Sequence, residues 1–132
     1  DRKLILKIDY SLLLTFVGFF IFVGNMGRIP VINNMIESLL WGREIVFSAL
    51  ISQVISNVPA ALLLSGFTDN MSALLVGVNI GGLGTLIASM ASLISYKYVA
   101  AALPDKKARY LLIFSLLNFA LLGIMLLLSL II

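Results

Sequence analysis

The sequence predicts an all-α integral membrane protein with three crossings, a re-entrant helical hairpin and a broken transmembrane helix. Three observations carry that prediction. Mean hydropathy is +1.14, with 61% hydrophobic and 11% charged residues over 132 positions, far from the norm of a soluble domain. The apolar stretches are continuous and rich in Leu and Ile, whereas barrel strands would alternate. Two polar breaks rich in Gly or Pro interrupt them: Ser56-Asn57-Val58-Pro59 and Asn79-Ile80-Gly81-Gly82-Leu83-Gly84-Thr85. Bare backbone at membrane depth survives only where protein or a water-filled cavity covers it, so such breaks mark candidate binding sites.

Residues 10–27 reach across the hydrocarbon core as a helix at ~1.5 Å per residue, with help from tilt or from Ile8. Arg28 and Pro30 end that first crossing. Residues 31–41 mix apolar positions with Asn33, Asn34, Glu37 and Ser38, the pattern of an interfacial helix with Trp41 at the headgroups. Residues 44–66 fit either a proline-kinked crossing or a re-entrant hairpin with its tip at Ser56 to Pro59. Charge placement favours the hairpin. With three crossings, Arg2, Lys3, Lys7, Lys97, Lys106, Lys107 and Arg109 share one side and only Arg28 and Arg43 lie opposite. The basic side is then cytoplasmic, with the N-terminus inside and the C-terminus outside a multi-pass cell-membrane protein. Tyr10, Tyr96, Tyr98 and Tyr110 flank the same charges as interfacial anchors.

Thr68-Asp69-Asn70 forms the outer turn and supplies a helix cap. Residues 70–98 exceed one untilted span and predict two half-helices around an unwound middle. Gly77 and Gly81 form a GxxxG pair for helix packing, but three glycines in four positions beside Asn79 and Thr85 cost helix stability at ~1 kcal/mol each. A turn at Pro104 leads to residues 110–132, an apolar crossing that packs and anchors.

The chain has no cysteine and no histidine, so it lacks the parts of a thiol site, a disulfide, a His-ligated metal or a Ser-His-Asp triad. It is expected not to be an enzyme and to need no cofactor. The net charge of +3 sits beside hydrophobic segment ends, where membrane orientation explains it and nucleic-acid binding does not. A first residue of Asp1 leading straight into an apolar run is expected of a fragment of a longer protein.

Half-helix ends within a membrane attract anions at N–H termini and cations at carbonyl termini. The breaks contain no Asp or Glu, so a neutral-oxygen site for sodium is compatible with their residues, with Asn57 and Asn79 as its candidate donors. The glycine run matches neither a dinucleotide fingerprint nor a P-loop.

At these residues the chain resembles the ion transporter superfamily, which includes citrate and dicarboxylate transporters, arsenite exporters and a class of sodium/proton antiporters. IDYSLLLTFVGFFIFVGN is similar to the helix before the second hairpin, SQVISNVPAALLL to the hairpin tip, and VGVNIGGLGTLIASMASLISYK to the following broken helix. The resemblance implies that residues 1–132 are the C-terminal repeat of two inverted repeats, one half of a citrate-transporter-like permease, with its N-terminal partner repeat missing here. It implies a substrate or ion site at Ser56, Asn57, Pro59, Asn79, Gly81, Gly82, Gly84 and Thr85. A small ion or anion would be carried by alternating access, coupled to Na+ or H+, in a lipid bilayer and within an assembly that allows a homodimer. Dicarboxylate carriers have Ser-Asn-Thr at the tip, whereas this chain has Ser56-Asn57-Val58. The alternatives are a sodium/proton antiporter, an arsenite-type exporter, or, in a different class, a non-transporting membrane subunit.

Overall fold

The computed structural model describes residues 10–26 and 28–131. The basic residues Arg2, Lys3 and Lys7, Gly27 at the end of the expected first crossing, and Ile132 lie outside the described residues. Among the described residues every regular element is helical.

The first helix, α1 (Tyr10–Met26), ends where Asn25 Nδ2 donates back to the Ile21 carbonyl at 2.7 Å. The axis then turns by 95° into α2 (Pro30–Leu40). Pro30 lies in the first turn of α2, where a missing N–H costs nothing. Ile36 and Leu40 on one face of α2 are buried, while Asn34, Glu37 and Ser38 are exposed. Burying that stripe joins α2 to the core as a packed helix.

Gly42, at φ +68°, makes the turn into α3 (Glu44–Ile55). Ser56 alone separates α3 from α4 (Asn57–Leu64). As one straight helix, positions 44 and 68 would lie about 36 Å apart at ~1.5 Å per residue. Instead Thr68 Oγ1 donates to Glu44 Oε1 at 3.5 Å. The chain therefore doubles back at Ser56, and the two arms share one base.

Asn70 caps α5 (Met71–Gly81), its side-chain oxygen accepting from the Ala73 N–H at 3.2 Å. Helices α3 and α5 are the most intimate pair because both faces are small. A Cβ on Gly77 would lie 2.7 Å from Ile45 Cα, and one on Gly81 would lie 2.7 Å from Ala49 Cα. Ser48 and Ser52, both fully buried on α3, turn their hydroxyls back to the Glu44 and Ser48 carbonyls, so no polar atom there lacks a partner. Close backbone approach through small residues is the packing mode of helices in lipid.

Residues 82–89 are non-helical. Helix α6 (Met90–Ala102), a 3-10 turn (Pro104–Lys106) and α7 (Lys107–Ser129) follow. The unwound stretch thus begins three residues after Asn79, and the last helix starts at Lys107 rather than at 110. Tyr110 stacks on Tyr96 of α6 with ring centroids 6.3 Å apart, fixing α6 against α7. Buried residues of α2, α4 and α5, with Phe67 from the turn between the last two, form the core: Ile36, Leu40, Ala60, Leu64, Phe67, Leu74 and Val78.

Among the described residues one helical stretch, Pro104–Ser129, is by itself long and apolar enough to cross a membrane, and its most apolar 18 residues have a mean hydropathy of 2.7. Only 6% of its most apolar window is buried within the chain. The 12-residue α3 and 11-residue α5 are apolar but reach only about 18 Å and 17 Å, roughly half of a hydrocarbon core.

Candidate functional site

The two breaks found in the sequence meet. At the hairpin tip Ser56 has φ +76° and ψ 152°, a region populated almost entirely by glycine. That conformation is held from several sides: the Ser56 N–H donates to the Ser52 carbonyl at 3.0 Å, and the Ser56 carbonyl accepts from Ala60 N–H at 3.0 Å. The Asn57 N–H crosses to the second break and donates to the Ala88 carbonyl at 2.9 Å, while Ser56 Oγ reaches the same oxygen at 3.4 Å.

The N-terminus of α4 is consequently closed. Asn57 N–H is taken by Ala88, Val58 N–H donates to Asn57 Oδ1 at 2.9 Å, and Pro59 has no N–H. The tip's half-helix end offers no unused donor in its first turn to an anion. Pro59 instead lines an apolar cleft of about 310 Å³ with Thr15, Phe19, Val58 and Met90.

Gln53, one turn before the tip on α3, organises the second break. Its Nε2 donates to the carbonyls of Ala49 at 3.0 Å, Gly81 at 2.7 Å and Leu83 at 3.0 Å. Its Oε1 accepts from the Thr85 N–H at 3.0 Å, and its own carbonyl accepts from Thr85 Oγ1 at 3.1 Å. Thr85 Oγ1 also accepts from the Ala88 N–H at 3.2 Å, which folds residues 85–88 back under the tip. Gly84 is indispensable to this arrangement: its φ is +104°, and a Cβ there would collide with the Gln53 carboxamide and lie 3.2 Å from Leu122 Cδ2 of α7.

The expected site residues therefore separate. Ser56, Asn57, Gly82, Gly84 and Thr85 come together where tip and break touch. A Cβ on Gly82 would lie 3.2 Å from both Asn57 Nδ2 and the Asn79 carbonyl oxygen, so the Asn57 carboxamide sits beside the end of α5. Asn79 contributes its backbone there, because its exposed side chain donates to the Leu75 carbonyl of its own helix at 2.8 Å. Gly81 is the last residue of α5 and is buried against Ala49 and Ser52, with its carbonyl taken by Gln53. Sequence reading missed Gln53 and Ala88. Gln53 carried a signal, the one carboxamide in the first arm, whereas Ala88 acts through a carbonyl that no side-chain pattern reveals.

A second cleft, of about 560 Å³, lies at the hairpin base and includes Glu37, Glu44, Thr68 and Asp69. No group of three or more His, Cys, Asp or Glu side chains among the described residues is placed to hold a metal ion.

No protein-family model matches the chain, and no solved structure matches it. Two curated proteins do. The chain is 46% identical over 93 residues to a Methanocaldococcus jannaschii protein named "Uncharacterized transporter MJ0456", a match that covers 69% of this chain and 26% of that protein. It is 34% identical over 103 residues to the Escherichia coli "Inner membrane protein YbiR", which covers 73% of this chain and 27% of that protein. The chain thus spans about a quarter of the length of the curated relatives it matches, and what it is similar to are proteins named as a transporter and as an inner membrane protein.

Proposed function

We propose that the chain is one repeat of a multi-pass secondary transporter that carries a small ion or anion across the cell membrane by alternating access. The observation that carries this reading is the docking of the hairpin tip on the unwound residues 82–89, through Asn57 to Ala88 and Gln53 to Gly81, Leu83 and Thr85. Irregular backbone held by protein beside half-helix ends is how many secondary transporters build a midplane site. The names of the two relatives point the same way. In this reading a second, inverted repeat faces the tip, α3 and α4 re-enter from the outer side, and α1, α5 with α6, and α7 make the three crossings. The N-terminus is cytoplasmic and the C-terminus outside. A citrate-type permease, a sodium/proton antiporter and an arsenite-type exporter share this frame. The Val58 at the tip favours the latter two over a dicarboxylate carrier. The bilayer and the facing repeat are the partners, a homodimer is compatible, and neither a cofactor nor nucleic acid has a role.

Na+ is the preferred coupling ion over H+, because no carboxylate lies in either break and Asn57 and Asn79 carry neutral oxygens; the Asn57 amide, which turns its Nδ2 toward Gly82 and its Oδ1 to the Val58 N–H, would rotate to present that oxygen to the ion. The Asn79 donor would be its backbone carbonyl. In proteoliposomes holding the intact protein, uptake of candidate anions and of alkali cations should follow an imposed Na+ gradient at fixed pH. Asn57→Ala should weaken the sodium dependence about tenfold, the loss of one good ligand interaction of ~1.4 kcal/mol, and Asn79→Ala should weaken it less. An unchanged sodium response in the Asn57 variant would remove the assignment, and a response to pH alone would move coupling to a carboxylate elsewhere in the protein. A non-transporting membrane subunit is the second reading, favoured by the Gly77 and Gly81 packing face. Absence of any uptake by well-folded protein supports it.

A further inference from the structure

We propose that the Gln53 carboxamide is a built-in substitute for a cation, filling a cradle of backbone carbonyls at the end of α5 so that the break keeps its shape with no ion bound there. The Ala49, Gly81 and Leu83 oxygens converge on one nitrogen at 3.0, 2.7 and 3.0 Å. Gly81 is the last residue of α5 and Leu83 lies just beyond it, at the negative end of its dipole, where carbonyls attract positive charge. Convergent backbone carbonyls are also how proteins coordinate hard cations. Here the positive end of an amide dipole occupies that place. The orientation of the amide follows from its neighbours: three carbonyls require a donor, and the Thr85 N–H on the other side requires an acceptor, 3.0 Å from Oε1.

The distances fit a hydrogen-bonding nitrogen better than a small metal ion. Calcium–oxygen contacts run at ~2.3–2.6 Å, so a small ion would have to draw the cradle inward. Gly84 lets the carboxamide come this close, since a Cβ there would lie 3.0 Å from Gln53 Cδ. The tether is also economical in entropy. Gln53 is part of α3, which packs closely on α5, and no free ion has to be captured. The consequence is a division of labour: the cradle of Ala49, Gly81 and Leu83 is structural, and a coupling cation must be held elsewhere, on the Asn57 side of the break.

The substitution Gln53→Glu keeps the length and removes both donors, leaving a carboxylate against three carbonyls, an arrangement that calls for a cation. The intact protein is purified in detergent and melted at pH 8 in choline, sodium and potassium chloride at equal ionic strength. Gln53→Glu should melt below the wild type in choline and recover by about 5 °C or more in sodium or potassium, beyond any response of the wild type. Gln53→Ala, which empties the cradle without adding charge, should gain a smaller response of the same sign. Either gain supports the assignment. Variants that respond to cations no more than the wild type, or that stay unfolded in all three salts, overturn it. The inference goes beyond the transport reading and is read by stability, so a protein that carries no solute still answers.

Discussion

Glycines in this chain differ in what they exclude, and the difference predicts separate consequences for mutation. At Gly77 an added methyl would meet the Ile45 carbonyl oxygen at 2.5 Å and its Cα at 2.7 Å, both main-chain atoms of a packed helix that cannot yield locally. At Gly82 the nearest atoms, the Asn57 amide nitrogen and the Asn79 carbonyl oxygen, stand back at 3.2 Å, and the first is the end of a side chain that can rotate. Gly77→Ala should therefore lower stability by about 1–3 kcal/mol through overpacking, and reduce the amount of folded protein in the membrane. Gly82→Ala should fold near normally and change uptake per molecule, because it displaces the Asn57 carboxamide. Thermal melting and uptake normalised to protein level separate the two. Equal losses of stability would mean that the break is packed as tightly as the helix face. The spacing of Gly77, Gly81, Gly82 and Gly84 is plain in the sequence, yet the spacing alone does not divide them, since the division depends on how closely the neighbouring atoms approach and whether they can yield.

At the scale of elements, α7 contrasts with the helices of the core. Leu112, Leu116, Leu117 and Leu127 on α7 are each at least 60% exposed, and the helix is long enough to span the hydrocarbon core with tilt. Among the described residues little protein covers those side chains, and lipid or the facing repeat supplies the cover in the proposed arrangement. Placing a charge at its middle should be costly: Leu117→Arg is expected to disfavour insertion by about 2.5–3.5 kcal/mol, visible as a loss of the membrane-integrated fraction in a glycosylation-tag insertion assay. Lys107→Arg, which keeps a charge already present in the first turn of α7, should leave insertion intact. A Leu117→Arg protein that inserts normally would remove α7 from the lipid-facing set. Helices α3 and α5 answer to different physics, since their small residues give close backbone contact where α7 gives apolar area.

For the whole molecule, the hydrogen bond from Thr68 to Glu44 puts the start of α3 and the exit of α4 at one base. Under the proposed topology that base faces outward, while Lys106 on the turn before α7 faces the cytoplasm. In intact cells, single cysteines introduced at Arg43 and Thr68 should both react with an impermeant thiol reagent, and one at Lys106 should react only after permeabilisation. Labelling of the first two from opposite sides would refute re-entry, and labelling of all three from outside would refute the central crossing by α5 and α6.

The all-helical class was determined by the sequence itself, as was the fact that polar, Gly- and Pro-rich runs interrupt the apolar segments. Hydrophobic runs and Gly/Pro punctuation act over a few neighbouring residues, and such local effects are legible one segment at a time. The limits of that reading were equally local. Asn79 and Gly81 continue α5 although the polar and glycine-rich run begins at them, because packing on Ala49 and Ser52 holds the helix to Gly81. Only the tertiary structure decided that the tip docks on residues 82–89, that Asn79 turns its side chain outward, and that Gln53 satisfies carbonyls 28 and 30 positions away. A helix that unwinds exposes backbone groups whose partners can come from anywhere in the chain, and the search for those partners is settled by three-dimensional packing.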